Sequence, residues 1–333
     1  MDGWDWLIVL VKSLAIMILF LLSPLILVLV ERWVLGRLQS RVGPNRVGWG
    51  GTLQTLADGL KLGFKEDLIP TGADKAVFWF GPIFMVIPAM AAWAIVPLGP
   101  KVDIGREVQL WAADLNVGLL YFLAMGSLGV YGVVMSGWSS NSKYASFGAL
   151  RSSAQVVSYE LVMGLGALAA VLYAGTLNVA EIVERQRELW FVVPQVVGFL
   201  LFFIAGVAET NRAPFDLPEA ETELVAGYHV EYSGMRFAMF FIAEYANMLL
   251  VSAVATTLFL GGWNGWTIPG MEGLCGVFWF FFKATVLLFV FILMRATLPR
   301  FRYDQLMSFC WKLLLPVGVA NLILAAGLRV AWS

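Results

Sequence analysis

Leu7-Ile8-Val9-Leu10-Val11-Lys12-Ser13-Leu14-Ala15-Ile16-Met17-Ile18-Leu19-Phe20-Leu21-Leu22-Ser23-Pro24-Leu25-Ile26-Leu27-Val28-Leu29-Val30 holds one charge in a run long enough to cross a hydrocarbon core. A transmembrane helix needs about 20 mostly apolar residues. Eight stretches qualify, at roughly 7–30, 77–98, 115–136, 155–174, 190–208, 237–260, 277–295 and 311–331. The expected fold is all-α: a polytopic membrane protein with about eight transmembrane helices, forming one integral membrane domain over 1–333. Met1–Trp6 lacks a basic n-region and the run after it is too long for a signal peptide, so it reads as a retained span.

Composition agrees with that class. The 333 residues are 60% hydrophobic and 14% charged, where a soluble domain carries about 25% charge. Cys275 and Cys310 lie at opposite ends of the seventh span and cannot pair, so no disulfide framework is expected. With two cysteines and the single His229, the chain cannot supply a four-cysteine iron–sulfur set or paired haem histidines. Any redox cofactor must therefore belong to a partner.

The basic residues give the orientation. Arg32, Arg37, Arg41, Arg46, Lys61, Lys65 and Lys75 follow the first span, and alternate connections add Lys143, Arg151, Arg212, Arg236, Arg295, Arg300 and Arg302. The opposite connections have only Lys101, Arg106, Arg185, Arg187 and Arg329. By the positive-inside rule the odd-to-even connections are cytoplasmic and both termini lie outside. Within the first connection, Leu53, Leu56, Leu60 and Phe64 recur at helical spacing with Gln54, Asp58, Lys61 and Lys65 off that face. That pattern fits an amphipathic helix at the membrane interface, and equally a helix packed on a partner protein. Gly175 to Leu189 also has a helical pattern.

Between the fifth and sixth spans, Glu209 to Tyr232 carries six carboxylates against Arg212. Pro214 and Pro218 favour an ordered, extended or turning loop, in which Glu219, Glu221 and Glu223 alternate. Ionisable residues in spans cost about 2.5–3.5 kcal/mol each on insertion scales and need a reason. Glu31, Glu160, Glu209 and Glu244 all fall in the cytoplasmic half. Such a chain of acids could relay protons or tune a wet cavity. The plainer alternative is salt bridging, Glu31 to Arg32 or Arg37 and Glu209 to Arg212, although Glu160 and Glu244 have no sequence-local cation. Lys283 either snorkels outward or pairs with an acid. His229, with no second ligand type nearby, reads as a hydrogen-bonded loop or interface residue. No inverted repeat relates the two halves, which disfavours a stand-alone channel or transporter.

Glu31-Arg32, Gly36 to Arg46, Gly137 to Tyr144, Ser158-Tyr159-Glu160, Glu209 to Gly227 and Arg300 to Met307 closely resemble the H subunit of NADH:quinone oxidoreductase, respiratory complex I. The similarity runs over nearly the whole chain. It implies tilted helices around a chamber that admits a quinone from the bilayer and carries its headgroup towards the peripheral arm's last iron–sulfur cluster. Arg212, Asp216, Glu219, Glu221, Glu223 and Glu231 would form the chamber floor and its docking surface. Arg32, Arg37, Arg41 and Arg46, with Leu56, Leu60 and Phe64, would frame the entrance. Glu160, Glu209 and Glu244, with Glu31 at the mouth, would form the proton relay. Some members have a further acid in the third span, which is absent from 115–136 here. The resemblance further implies that quinone is the substrate and that iron–sulfur clusters and flavin reside in partners, with no cofactor bound by this chain. The expected partners are peripheral-arm subunits, small membrane subunits, antiporter-like subunits and the lipid bilayer, without nucleic acid. The expected location is a bacterial inner membrane with periplasmic termini. A homologous subunit of an energy-converting hydrogenase or formate-oxidising complex is the alternative within the same architecture.

Overall fold

The computed structural model describes residues 3–103, 107–218 and 221–332, and the side chains of 8–102, 108–218 and 223–331. Long helices dominate: α1 Gly3–Leu38, α2 Gln54–Phe64, α3 Lys75–Ala92, α4 Gly118–Ser139, α5 Lys143–Ala174, α6 Val179–Arg185, α7 Val196–Glu209, α8 Glu221–Leu224, α9 Gly234–Phe259, α10 Glu272–Thr297, α11 Tyr303–Phe309 and α12 Leu315–Trp332. Two strands, β1 Val102–Asp103 and β2 Glu107–Val108, pair antiparallel in the connection before α4. Among the described residues, seven helical spans are long and apolar enough to cross a membrane.

The fifth expected span differs from its sequence reading of 190–208. Its helix α7 has only 14 residues, about 21 Å at 1.5 Å per residue, short of a hydrocarbon core of about 30 Å. Pro194 has no N–H to give a preceding turn, and 191–195 form turns instead. Those turns are anchored, with Val192 N donating to Phe259 O at 2.9 Å and Asn321 Nδ2 donating to Gln195 Oε1 at 3.0 Å. The last span also departs from a plain helix. Cys310–Leu314 form a π-turn just before Pro316, whose missing donor relaxes the regular ladder.

α9 is the central element. Its apolar window is 61% buried, against 17% for α1 and 22% for the span ending in α12, so α9 is wrapped by helices while those two face outward. α3 and α4 approach closely through small residues: a Cβ on Gly132 would lie 2.9 Å from Gly81 O, and one on Gly81 would lie 2.3 Å from Ser136 Oγ. In a membrane, where lipid is as apolar as leucine, such close packing supplies the association energy. α6 is the expected helical piece of the 175–189 connection, and Asn178 caps it by accepting from Ala180 N and Glu181 N at 2.9 and 3.3 Å.

Candidate functional site

The amphipathic helix α2 lines, with α1 and α9, a cavity of about 840 Å³. Leu21 and Leu25 of α1, Leu56, Leu60 and Phe64 of α2, and Phe241 of α9 give it an apolar lining. Its polar rim is the Arg32–Asp58 ion pair at 2.5 Å, which ties α1 to α2. Burial acts first to raise the Asp58 pKa, but hydrogen bonds from Arg32 and Gln54 and the nearby cations outweigh it, and the net shift is downward. The expected entrance residues Arg32, Leu56, Leu60 and Phe64 therefore converge on one wall. Arg37, Arg41 and Arg46 do not; Arg37 is exposed in the last turn of α1, and Arg41 and Arg46 are exposed on the connection beyond it.

Tyr245 also lines this cavity. The Arg212 guanidinium, which does not line it, lies 4.0 Å from the Tyr245 ring centroid. Arg212 Nη1 donates to both oxygens of Glu31 at 3.1 Å, and Nε sits 2.5 Å from Glu244 Oε1. Arg295 pairs with Glu31 as well. Arg212 and Glu31 are buried, at 6% and 4% side-chain exposure, and Glu244 is partly buried at 12%. Burial would depress the guanidinium pKa, but Glu244 and Glu31 hold it above its ordinary value. This arrangement corrects the local pairings read from sequence: Glu31 engages neither Arg32 nor Arg37, Arg212 turns to Glu31 and Glu244 instead of Glu209, and Glu244 does have a cation.

The remaining two acids form a second group. Ser127 Oγ donates to Glu160 Oε1. Glu160 also borders an apolar groove of about 610 Å³ between α4, α5 and α12, lined by Leu123, Leu161 and Val319. Glu209 lies near enough to feel the Glu160 charge, and its Oε2 is buried with no hydrogen-bond partner among the described residues. Gly126 makes room for it, since a Cβ there would come within 2.7 Å of Glu209 Oε1.

The acidic loop is ordered by its surroundings. Gln155 Nε2 donates to Ala208 O and Phe215 O, both at 2.8 Å, and Phe215 stacks on Phe301 with centroids 5.6 Å apart. Asp216 pairs with Arg300 at 2.6 Å. Burial raises the Asp216 pKa, and Arg300, Arg295 and Arg212 only partly offset it. Glu223 pairs with Arg151 at 2.6 Å, and Glu231 is half-buried. Glu219 lies outside the described residues, as does the side chain of Glu221. His229 is buried among Tyr228, Phe237, Phe240 and Phe241, and burial drives its pKa down to about 4.

Lys283 is neither snorkelling nor paired with an acid. Its ammonium donates to Leu260 O, Gly262 O and Asn264 O at 2.7, 3.0 and 2.6 Å, and lies 4.2 Å from the Trp190 ring centroid. An ammonium has three donors, so the loop after α9 occupies each of them. Sequence reasoning did not single out Tyr245, Ser127, Gln155 or Arg295 as site residues. Tyr245 adjoins a marked acid, but nothing in the sequence shows that Arg295 would reach Glu31 across 264 positions.

Comparison with known proteins is specific. The sequence model of the family described as NADH dehydrogenase matches residues 11–326. The NADH-quinone oxidoreductase H subunit of Frankia alni is 53% identical over 99% of this chain and 74% of its own length. The protein of that name from Rhodospirillum rubrum is 50% identical over 99% of this chain and 96% of its own length.

Proposed function

The chain belongs to the NADH dehydrogenase family, among the H subunits of NADH-quinone oxidoreductase, and from that premise we propose that it forms the quinone chamber with the peripheral arm and couples quinone reduction to proton translocation. It is a membrane subunit of that enzyme, with quinone as substrate, other subunits of the complex as partners, and the redox cofactors in those partners. The proposal extends to a bacterial inner membrane with periplasmic termini. It also extends to peripheral-arm, small membrane and antiporter-like subunits as neighbours.

The observation that carries this reading is the position of Tyr245. It lines an apolar cavity between α1, α2 and α9 that suits an isoprenoid tail, and it lies against Arg212 of the Arg212–Glu31–Glu244 cluster. A quinone arriving from the bilayer slides past Leu56, Leu60 and Phe241 while its headgroup advances towards the partner that delivers electrons. Two electrons and two protons convert it to quinol. Negative charge appearing on the quinone before it is protonated competes with Glu31 and Glu244 for Arg212, because Coulomb interactions are strong where water is excluded. The freed carboxylates then bind protons more readily, and Glu209 and Glu160 carry the change onward.

Constriction of the cavity tests the first part. Leu60→Trp in the assembled complex is expected to raise KM for a long-tailed quinone by about tenfold, more than for a short-tailed one. Electron flow to a water-soluble acceptor of the peripheral arm serves as the internal control. Equal effects on both quinones would remove the cavity from the substrate path. For the relay, Glu160→Gln is expected to leave assembly intact and lower coupled quinone reductase activity. Full activity and full pumping in that variant would take Glu160 out of the mechanism.

A further inference from the structure

The buried acids fall into two groups, and a small cavity borders the second of them at Glu209. A cavity of about 30 Å³ lies between α3, α4, α7 and α9, bordered by Gly126, Gly129, Glu209, Thr210 and Asn247 among apolar side chains. At roughly 10–15 Å³ for each water, that volume holds about two. The site is polar enough to keep them. Glu209 Oε2 is buried with no hydrogen-bond partner among the described residues, although an unpaired buried oxygen is costly, and Asn247 borders the same space. The Thr210 hydroxyl already donates to Val207 O at 3.0 Å, so it remains only an acceptor there. Gly129 borders the cavity and has room for a side chain, since a Cβ built on it would meet nothing within 4 Å.

Asn247 follows Glu244 by three positions on α9, and residues so spaced share a helix face. It therefore lies one turn from the Arg212-clamped carboxylate on the same helix face and itself borders the cavity that reaches Glu209. An asparagine amide both donates and accepts hydrogen bonds but does not itself titrate near neutral pH. It suits the orienting of water and not the carrying of a proton. We propose that Asn247 is a positioning residue that holds about two waters against Glu209, joining the Glu31–Arg212–Glu244 cluster to the Glu209–Glu160 pair. A proton leaving the Glu209 carboxylic acid for the first water is matched by one leaving the second water for the Glu244 carboxylate. The waters are restored and the charge moves by one acid. The inference rests on the relay reading above and adds its missing link.

Three variants in the complete complex, reconstituted in sealed vesicles, separate the possibilities. Asn247→Leu keeps the branching of the side chain and removes the amide, Gly129→Val adds bulk at the cavity without touching an acid, and Glu209→Gln tests the relay itself. All three are expected to lower protons pumped per quinone reduced, the first two by about tenfold, less than the roughly hundredfold or more that loss of a proton-transferring group itself costs. Asn247→Ser, which keeps a hydroxyl, is expected to restore part of the ratio. The infrared C=O band that vanishes in Glu209→Gln is expected to move to higher frequency in Asn247→Leu, as a carboxylic acid losing a hydrogen-bonded water does. Normal pumping in assembled Asn247→Leu and Gly129→Val, with pumping lost in Glu209→Gln, would overturn this link and leave the relay standing. Normal pumping in Glu209→Gln would overturn both.

Discussion

Arg212 illustrates how one loop side chain can govern two membrane carboxylates. Breaking a buried ion pair from one side commonly costs about 3–5 kcal/mol, because the remaining charge is stranded. Arg212→Met is therefore expected to deplete the assembled complex, measured as intact complex recovered from membranes. Arg212→Lys, which keeps the charge but loses the planar fork and the stacking on Tyr245, should recover part of it. His229 makes a pH prediction. Its pKa is about 6.5 free and about 4 in the fold, so between those values the unfolded chain binds the extra proton. The stability contributed by the buried neutral ring is whole above pH 6.5 and is lost as pH falls through 4, by roughly 3 kcal/mol. Thermal unfolding of wild type in detergent should weaken over that window, and His229→Phe should flatten the dependence. At this scale the sequence discloses which residues are expensive, since Glu31, Glu160, Glu209 and Glu244 stand out in apolar surroundings. It conceals their partners: Glu31 and Arg212 are 181 positions apart, and no local spacing encodes a contact made by tertiary packing.

At the scale of elements, α2 and the segment after it are fastened at two ends. Arg32–Asp58 holds it to α1. Beyond its C-terminus, Ser233 Oγ donates to Glu66 O at 3.3 Å and accepts from Leu68 N at 3.2 Å, while Arg236 pairs with Asp67 at 2.9 Å and lies 4.1 Å from the Trp79 ring centroid. Arg236→Ala is expected to speed amide exchange across 54–69 while exchange in α4 stays unchanged. The acidic loop is stitched in a similar way, and Glu223→Lys would set a second cation against Arg151. Weaker quinone reduction or weaker peripheral-arm docking is the expected result, whereas wild-type behaviour would reduce Glu223 to a solvated surface charge. The elements themselves were largely legible, because apolar runs of membrane length admit few other structures. α7 is the exception: hydropathy counts 190–195 as span, but Pro194 and the anchoring of Val192 and Gln195 turn those residues out of the helix.

Across the whole molecule, a buried central helix is flanked by outward-facing ones, and the candidate site lies where amphipathic α2 and the irregular segments meet α9. The lysine and arginine bias supports an orientation that labelling can test. Single cysteines at Arg41 and Lys143 are expected to react with an impermeant thiol reagent from the cytoplasmic side only, and one at Lys101 from the opposite side only; the reverse pattern would invert the topology. What no sequence pattern conveyed was the division of the acids into a clamped cluster and an open pair. That division depends on where Arg212 points after the chain leaves α7, a matter of loop geometry and not of periodicity.

The cradle around Lys283 has a practical consequence. An amine whose every proton is engaged and whose flank is shielded by an indole cannot meet an acylating reagent until the outer ends of α9 and α10 separate. The rate at which this lysine becomes acylated during turnover would thus time the parting of those helix ends.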